Sequence, residues 1–151
     1  MRADEYLDQI AKIDAIVINK SEECKKLDDE CKRLKALASG LGGFSVSERV
    51  QSTRDLQKNA HMIIDYVDIE QEIKKIMREI DELKRKRAEI IKNIERLPSA
   101  EYKVIYALYV KDFTLKEVAY NCKKSYEWAK EKKRKGLTFI QAMIDAPNSD
   151  A

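Results

Sequence analysis

The stretch FTLKEVAYNCKKSYEWAKEKKRKGLTFI, which runs from Phe113 to Ile140, decides how the C-terminal third of the chain folds. Two amphipathic segments are separated here by Lys123-Lys124. Thr114 followed by Glu117 is the pattern of a capping box, in which each side chain bonds to a free backbone N–H of the other residue. Ser125 is a preferred N-cap residue for the next helix. The stretch therefore predicts a short helix, a tight turn and a longer helix.

Apolar residues at helical spacing extend this unit in both directions. The short helix is predicted to bury Leu115, Val118, Ala119 and Cys122, and the longer one Ala129, Gly136, Leu137, Ile140 and Ile144. Ala119 is small where the two helices must approach closely. Pro98 marks a helix break, and a supporting helix is expected between it and Lys111. We predict a helix-turn-helix domain over residues 98–144, followed by a disordered tail over residues 145–151.

The positive charge of the chain lies in the same region. Residues 1–97 contain 20 Lys and Arg against 20 Asp and Glu, whereas residues 98–151 contain 10 against 7. Between Lys111 and Lys135 the counts are nine and four. A charge excess confined to one short segment indicates a surface for a polyanion. The alternative on charge alone is a solvated basic helix face without a partner.

The second helix of a helix-turn-helix enters the DNA major groove with its first turns facing base edges. Candidate base-reading residues are Tyr126, Glu127, Trp128, Lys130, Glu131 and Arg134. Candidate phosphate-binding residues, which position the protein without reading sequence, are Thr114, Lys116, Lys123, Lys124, Ser125 and Lys133. Trp128 has two interpretations: it contacts DNA, or it folds back over Tyr120 and the turn.

Residues 1–97 carry a seven-residue repeat of apolar side chains, broken only by Lys20 in the first half and Arg87 in the second. Such a repeat is typical of a coiled coil, and the glycine-rich stretch Ser39–Gly43 favours a bend. We therefore predict an all-α chain with a long antiparallel coiled-coil hairpin, bent at about residues 39–52, that forms a homo-oligomer. One alternative is an isolated hairpin that folds back on the C-terminal domain. A second is that residues 39–52 are disordered and the first helix pairs with that of another chain. Candidate oligomerisation residues are Ile10, Ile13, Val17, Leu27, Leu34, Ile69, Ile73, Ile76, Ile80, Leu83 and Ile90.

Several function classes lack the residues that they need. Cys24, Cys31 and Cys122 match no metal or redox spacing, and His61 is the only histidine. We expect no enzyme activity, no metal, no cofactor and no small-molecule substrate. No apolar run approaches the roughly 20 residues that cross a bilayer, and the start MRADEYLDQ resembles no secretory signal. The expected location is the cytoplasm, with no membrane partner.

Two resemblances rest on these residues. Thr114–Ala119, then Ser125, Glu127, Ala129 and Gly136-Leu137, resemble the helix-turn-helix of sigma-factor region 4. The wider pattern over about residues 45–144 is similar to phage and prophage regulators of the RinA/ArpU type. That resemblance implies a sequence-specific DNA-binding regulator, an activator of phage late genes (packaging, structural and lysis) in a bacterial host cell. Double-stranded DNA is the implied partner, with host RNA polymerase as a further one.

The sequence departs from the region 4 pattern at several positions. Tyr126, Trp128 and Glu131 differ in type, so the DNA target is not inherited from the resemblance. Lys124 and Lys132 occupy positions that are usually apolar, where their aliphatic stems can cover apolar surface. Two alternative functions are a small terminase subunit-like packaging protein, which also joins a helix-turn-helix to a coiled coil, and an adaptor that binds RNA polymerase.

Overall fold

The computed structural model describes residues 1–43 and 53–146, and the surroundings of side chains in residues 1–37 and 66–146. The described part consists of five helices and contains no strand, which confirms the all-α prediction. The helices are α1 (Ala3–Gly43), α2 (Thr53–Glu95), α3 (Ser99–Tyr109), α4 (Leu115–Asn121) and α5 (Tyr126–Asp145).

The described residues form two compact units. The first unit contains residues 1–16 and 83–146, which are the start of α1, the end of α2 and all of α3, α4 and α5. The second unit contains residues 17–82. The break at Leu97-Pro98 therefore lies within the first unit, between the end of α2 and the start of α3.

In the first unit, the beginning of α1 packs with the end of α2. Leu7, Ile10 and Ile94 are fully buried. The Asn93 amide donates a hydrogen bond to the Tyr6 hydroxyl (2.8 Å), and the Arg87 guanidinium donates one to Asp14 (2.7 Å). The residue number of the partner on α2 decreases as the residue number on α1 increases, so these two segments run antiparallel.

The same direction is found separately in the second unit. Lys20 is paired with Glu79, and the Cys31 thiol lies 4.0 Å from the carbonyl oxygen of Tyr66. The Glu79 carboxylate, which accepts a hydrogen bond from Lys20, raises the pKa of that ammonium group, while the pKa of Glu79 is lowered. The one charged residue that interrupts the first repeat is therefore neutralised within the chain.

The remaining core of the first unit is the crossing of α3 and α5. Val104, Ile105 and Ile140 are fully buried. A Cβ atom placed on Gly136 would lie 2.6 Å from Cγ1 of Ile105, well inside normal contact distance. Glycine at this position lets the two helices approach more closely than any other residue would allow.

The end of α1 differs from the expected bend. The helix continues through Ser39 and three glycines to Gly43, because glycine weakens a helix by only about 1 kcal/mol per residue and does not forbid it. Of the bend expected at about residues 39–52, residues 44–52 lie outside the described part of the chain. The expected disordered tail includes Asp145, which ends α5, and Ala146, its C-cap; residues 147–151 are likewise outside the described part.

Candidate nucleic-acid interface

The turn between α4 and α5 is four residues long and has a defined geometry. Lys123 adopts the left-handed conformation, with φ of 54°. Its N–H donates to the Tyr120 carbonyl (3.1 Å), and the Lys124 N–H donates to the Ala119 carbonyl (2.9 Å). These two bonds are those of a Schellman motif, in which glycine usually occupies the left-handed position. The turn is therefore closed by backbone bonding, with a lysine where the chain is strained.

Side-chain caps begin both helices of this pair. The Ser125 hydroxyl accepts a hydrogen bond from the Trp128 N–H (3.1 Å), as the sequence pattern predicted. The Thr114 hydroxyl accepts from the Glu117 N–H (3.2 Å). The Thr114 hydroxyl also donates to the Glu117 carboxylate (3.1 Å), which takes the place of the reciprocal bond that a capping box makes with the backbone. The start of α5 is thus fixed by local bonds.

The faces of α4 and α5 that meet are lined by small and medium apolar side chains. Val118, Ala119 and Ala129 are buried. The short helix α4 has 7 residues and the capped helix α5 has 20.

Most candidate base-reading residues face solvent on α5. Tyr126 is exposed and lies under the Lys130 ammonium, 5.6 Å from the ring centroid. Glu127 and Arg134 are exposed as well, and exposed Glu131 forms an ion pair with Lys135. Trp128 is half-buried. The structure thus brings these six residues to the first three turns of one helix.

Candidate phosphate-binding residues lie at the start of α4, in the turn and on α5. Five of the six are exposed and one, Lys133, is half-buried; the exposed ones are Thr114, Lys116, Lys123, Lys124 and Ser125. The last three lie in the turn itself or cap α5. Basic groups therefore stand at the entry to α5 and along its first turns.

The exposure of Tyr120, 83%, shows whether Trp128 packs over its ring. A tryptophan folded over Tyr120 would cover that ring, so this packing arrangement is absent. Trp128 is only half-buried and retains an exposed part next to Glu127 and Glu131.

The two lysines at usually apolar positions behave differently. Lys132 reaches the carboxylate of Glu101 at 3.4 Å, and this carboxylate is 8% exposed. An ion pair with α3 therefore replaces the apolar contact. Lys124 is exposed and contributes its backbone N–H to the turn.

The start of α1 belongs to this unit, whereas the predicted domain boundary at residues 97–98 separated it from the C-terminal helices. Leu7 is fully buried although it lies outside the seven-residue series. Burial, followed by the charges of Asp8 and Asp4, raises the pKa of Tyr109 on α3 to about 12. The only signal in the sequence is the apolar character of Leu7 beside the repeat.

The candidate oligomerisation residues lie mostly inside the single chain. All eleven are buried or half-buried there, with Ile10, Ile13, Ile76 and Ile90 buried. The apolar side chains that α1 and α2 leave exposed lie outside that series and include Ile16, Ile18, Leu37, Val67 and Met77.

Among the described residues, no group of three or more His, Cys, Asp or Glu side chains could hold a metal ion. None of the described helices is both long and apolar enough to cross a membrane. No protein-family model, curated protein or solved structure matches this chain.

Proposed function

We propose that the protein is a sequence-specific DNA-binding transcriptional regulator that inserts α5 into the major groove. The observation that carries the proposal is the capped start of α5 after a hydrogen-bonded four-residue turn, with exposed lysines at positions 116, 123, 124 and 130 on α4, in the turn and on α5. Backbone phosphates bind such lysines, and groove edges are read by exposed side chains in the first turns. Glu127 is suited to accept a hydrogen bond from a cytosine amino group.

The proposal assigns α1 and α2 the role of an antiparallel coiled-coil hairpin that holds the binding unit and joins copies. The antiparallel contacts within each unit support the hairpin. Because the apolar residues of the seven-residue repeat are covered within the chain, association of two copies would use exposed side chains such as Ile16 and Met77. An oligomer would present two or more α5 helices, and the distance between DNA half-sites would follow from its geometry.

The resemblance to sigma region 4 and to RinA/ArpU-type regulators makes the proposal more specific. It points to activation of phage late genes in a bacterial cytoplasm, with RNA polymerase as a second partner. The defined start of α5 at Ser125 agrees with the pattern on which the resemblance rests.

The decisive experiment selects DNA sequences bound by the wild-type chain from a random pool and then measures affinity against salt concentration. Glu127→Ala is expected to change preference at one base position, by about 1–3 kcal/mol. Lys123→Ala and Lys124→Ala are expected to weaken all sequences equally and to lower the salt slope by about one each. Lys86→Ala, an exposed lysine on α2, is the matched control and should change neither quantity.

Other outcomes would favour the two competing functions. Uniform loss of affinity in all three variants would contradict groove reading by α5. A closed ring of eight or more copies by native mass measurement, bound to packaging-gene DNA, would indicate a terminase-like protein. Capture of RNA polymerase without DNA binding at low salt would indicate an adaptor.

A further inference from the structure

The start of α1 is fastened to α5 by one side chain, Gln141. The Ala3 N–H donates a hydrogen bond to Oε1 of Gln141 (2.8 Å), and Nε2 of Gln141 donates one to the Met1 carbonyl (3.1 Å). Arg2 lies between the two bonded residues, so its backbone is held against α5. The Arg2 side chain is 77% exposed.

Arg2 is held on the same side of α5 as the candidate base-reading residues. Gln141 follows Arg134 by seven positions and Thr138 by three, spacings that place the three residues on one face of a helix. Arg2, Arg134, Thr138 and Gln141 line one shallow cleft. The outward face of α5 that starts at Glu127 therefore continues to a basic group contributed by the other end of the chain.

Helix length determines what this basic group can meet. Tyr126 and Gln141 are 15 residues apart, or roughly 22 Å at 1.5 Å per residue. The major groove winds around the duplex whereas a helix is straight, so a helix that places its first turns against base edges diverges from the groove towards Gln141. Sugar–phosphate backbone lies at the edge of the groove. A guanidinium group is well suited to bind a phosphate through two parallel hydrogen bonds.

We propose that Arg2 binds a DNA phosphate beside the groove entered by α5, so that the start of α1 is part of the DNA interface. This inference rests on the proposed function. The present partner of Arg2 is Asp4 (3.2 Å), whose side chain is 40% exposed. An exposed ion pair of this kind contributes little stability, so a phosphate displaces Asp4 readily. Asp4 competes with DNA for the same guanidinium group.

The test compares three variants in full-length protein on a selected DNA sequence across a salt series. Arg2→Gln is expected to weaken binding roughly fivefold to tenfold at 0.1 M salt and to lower the salt slope by about one. Asp4→Asn is expected to strengthen binding, because it releases Arg2. Arg33→Gln is the matched control: Arg33 is an exposed arginine within α1 and, like Arg2, is paired with a carboxylate nearby in the sequence, that of Glu30 (3.9 Å). It should bind as the wild type does.

Three results would overturn the inference. Arg2→Gln could bind with unchanged affinity and slope, Arg33→Gln could lose as much as Arg2→Gln, or Asp4→Asn could weaken binding. A wild-type chain that binds no DNA at low salt would overturn the proposed function itself, and the inference with it. Wild-type binding with no effect at Arg2 would overturn only the inference.

Discussion

At the scale of single residues, Lys123 combines a structural cost with a predicted binding role. Its left-handed backbone, φ of 54°, is unfavourable for a residue with a Cβ atom by roughly 1–2 kcal/mol. Lys123→Gly is expected to raise the free energy of unfolding by about 1 kcal/mol, part of the relief being offset by glycine's greater freedom in the unfolded chain.

Chemical denaturation of Lys123→Gly and Lys124→Gly measures this effect. Lys124 lacks a positive φ, so Lys124→Gly is expected to lose about 0.5–1 kcal/mol. If both glycine variants were equally stable, strain at Lys123 would be contradicted. Lys123→Gly should still lower the salt slope of DNA binding by about one, which separates its charge from its conformation.

Tyr109 is expected to make the folding stability depend on pH. Burial, with Asp8 and Asp4 close by, raises its pKa from 10.0 to about 12. A raised folded-state pKa contributes stability that is fully present below pH 10 and is lost as the pH rises towards 12. Tyr109→Phe cannot ionise, so the variant is expected to lose less stability than the wild type over this interval.

Denaturation midpoints of wild type and Tyr109→Phe at several pH values between 9 and 12 test this prediction. The other six tyrosines titrate in both proteins, so only the difference between the two curves matters. Parallel curves would show that Tyr109 is not withdrawn from water by α1.

At the scale of helices, the crossing of α3 and α5 depends on Gly136. Gly136→Ala places a methyl group 2.6 Å from Cγ1 of Ile105, an atom bonded to Cβ in a fully buried side chain that has little room to move. Overpacking of this kind is expected to cost about 1–3 kcal/mol, more than the gain in helix propensity of about 1 kcal/mol. Combining Gly136→Ala with Ile105→Ala should cost less than the sum of the two single changes, as measured in a double-mutant cycle by thermal unfolding. Additive losses would mean that the two residues do not compete for space.

Helix starts and the apolar positions of the seven-residue repeat could be predicted from sequence because their signals are local. Ser125 caps α5 through a residue three positions away, and the seam positions of α2 from Ile69 to Ile94 are all shielded from full exposure. The bonds between Gln141 and the first residues could not be predicted, because the partners are 138 or more positions apart and neither belongs to a periodic pattern. The ion pair of Lys132 with Glu101 could not be predicted either, because the two residues lie on different helices. The sequence shows only a lysine at a usually apolar position and not the carboxylate on α3 that compensates for its charge.

At the scale of the whole molecule, both charged residues of the repeat lie beside acidic residues. Lys20 contacts Glu79 in the second unit, and Arg87 contacts Asp14 in the first. Each charged residue within the apolar series thus has an acidic partner on the other long helix. A shifted register would separate these pairs, which favours the observed alignment over others.

Charge reversal can tell a hairpin within one chain from exchange of α1 between two chains. Lys20→Glu and Glu79→Lys each place like charges together and are expected to lower the denaturation midpoint, an effect that weakens with added salt. The double variant should recover most of the loss. The two single variants, unfolded together and refolded as a mixture, should stay as unstable as each alone, because Lys20 and Glu79 pair within the same chain. Recovery of stability in the mixture, together with a doubled mass by sedimentation, would show instead that α1 pairs with α2 of a second copy. In that case the exchanged helices would set the distance between the DNA-binding units.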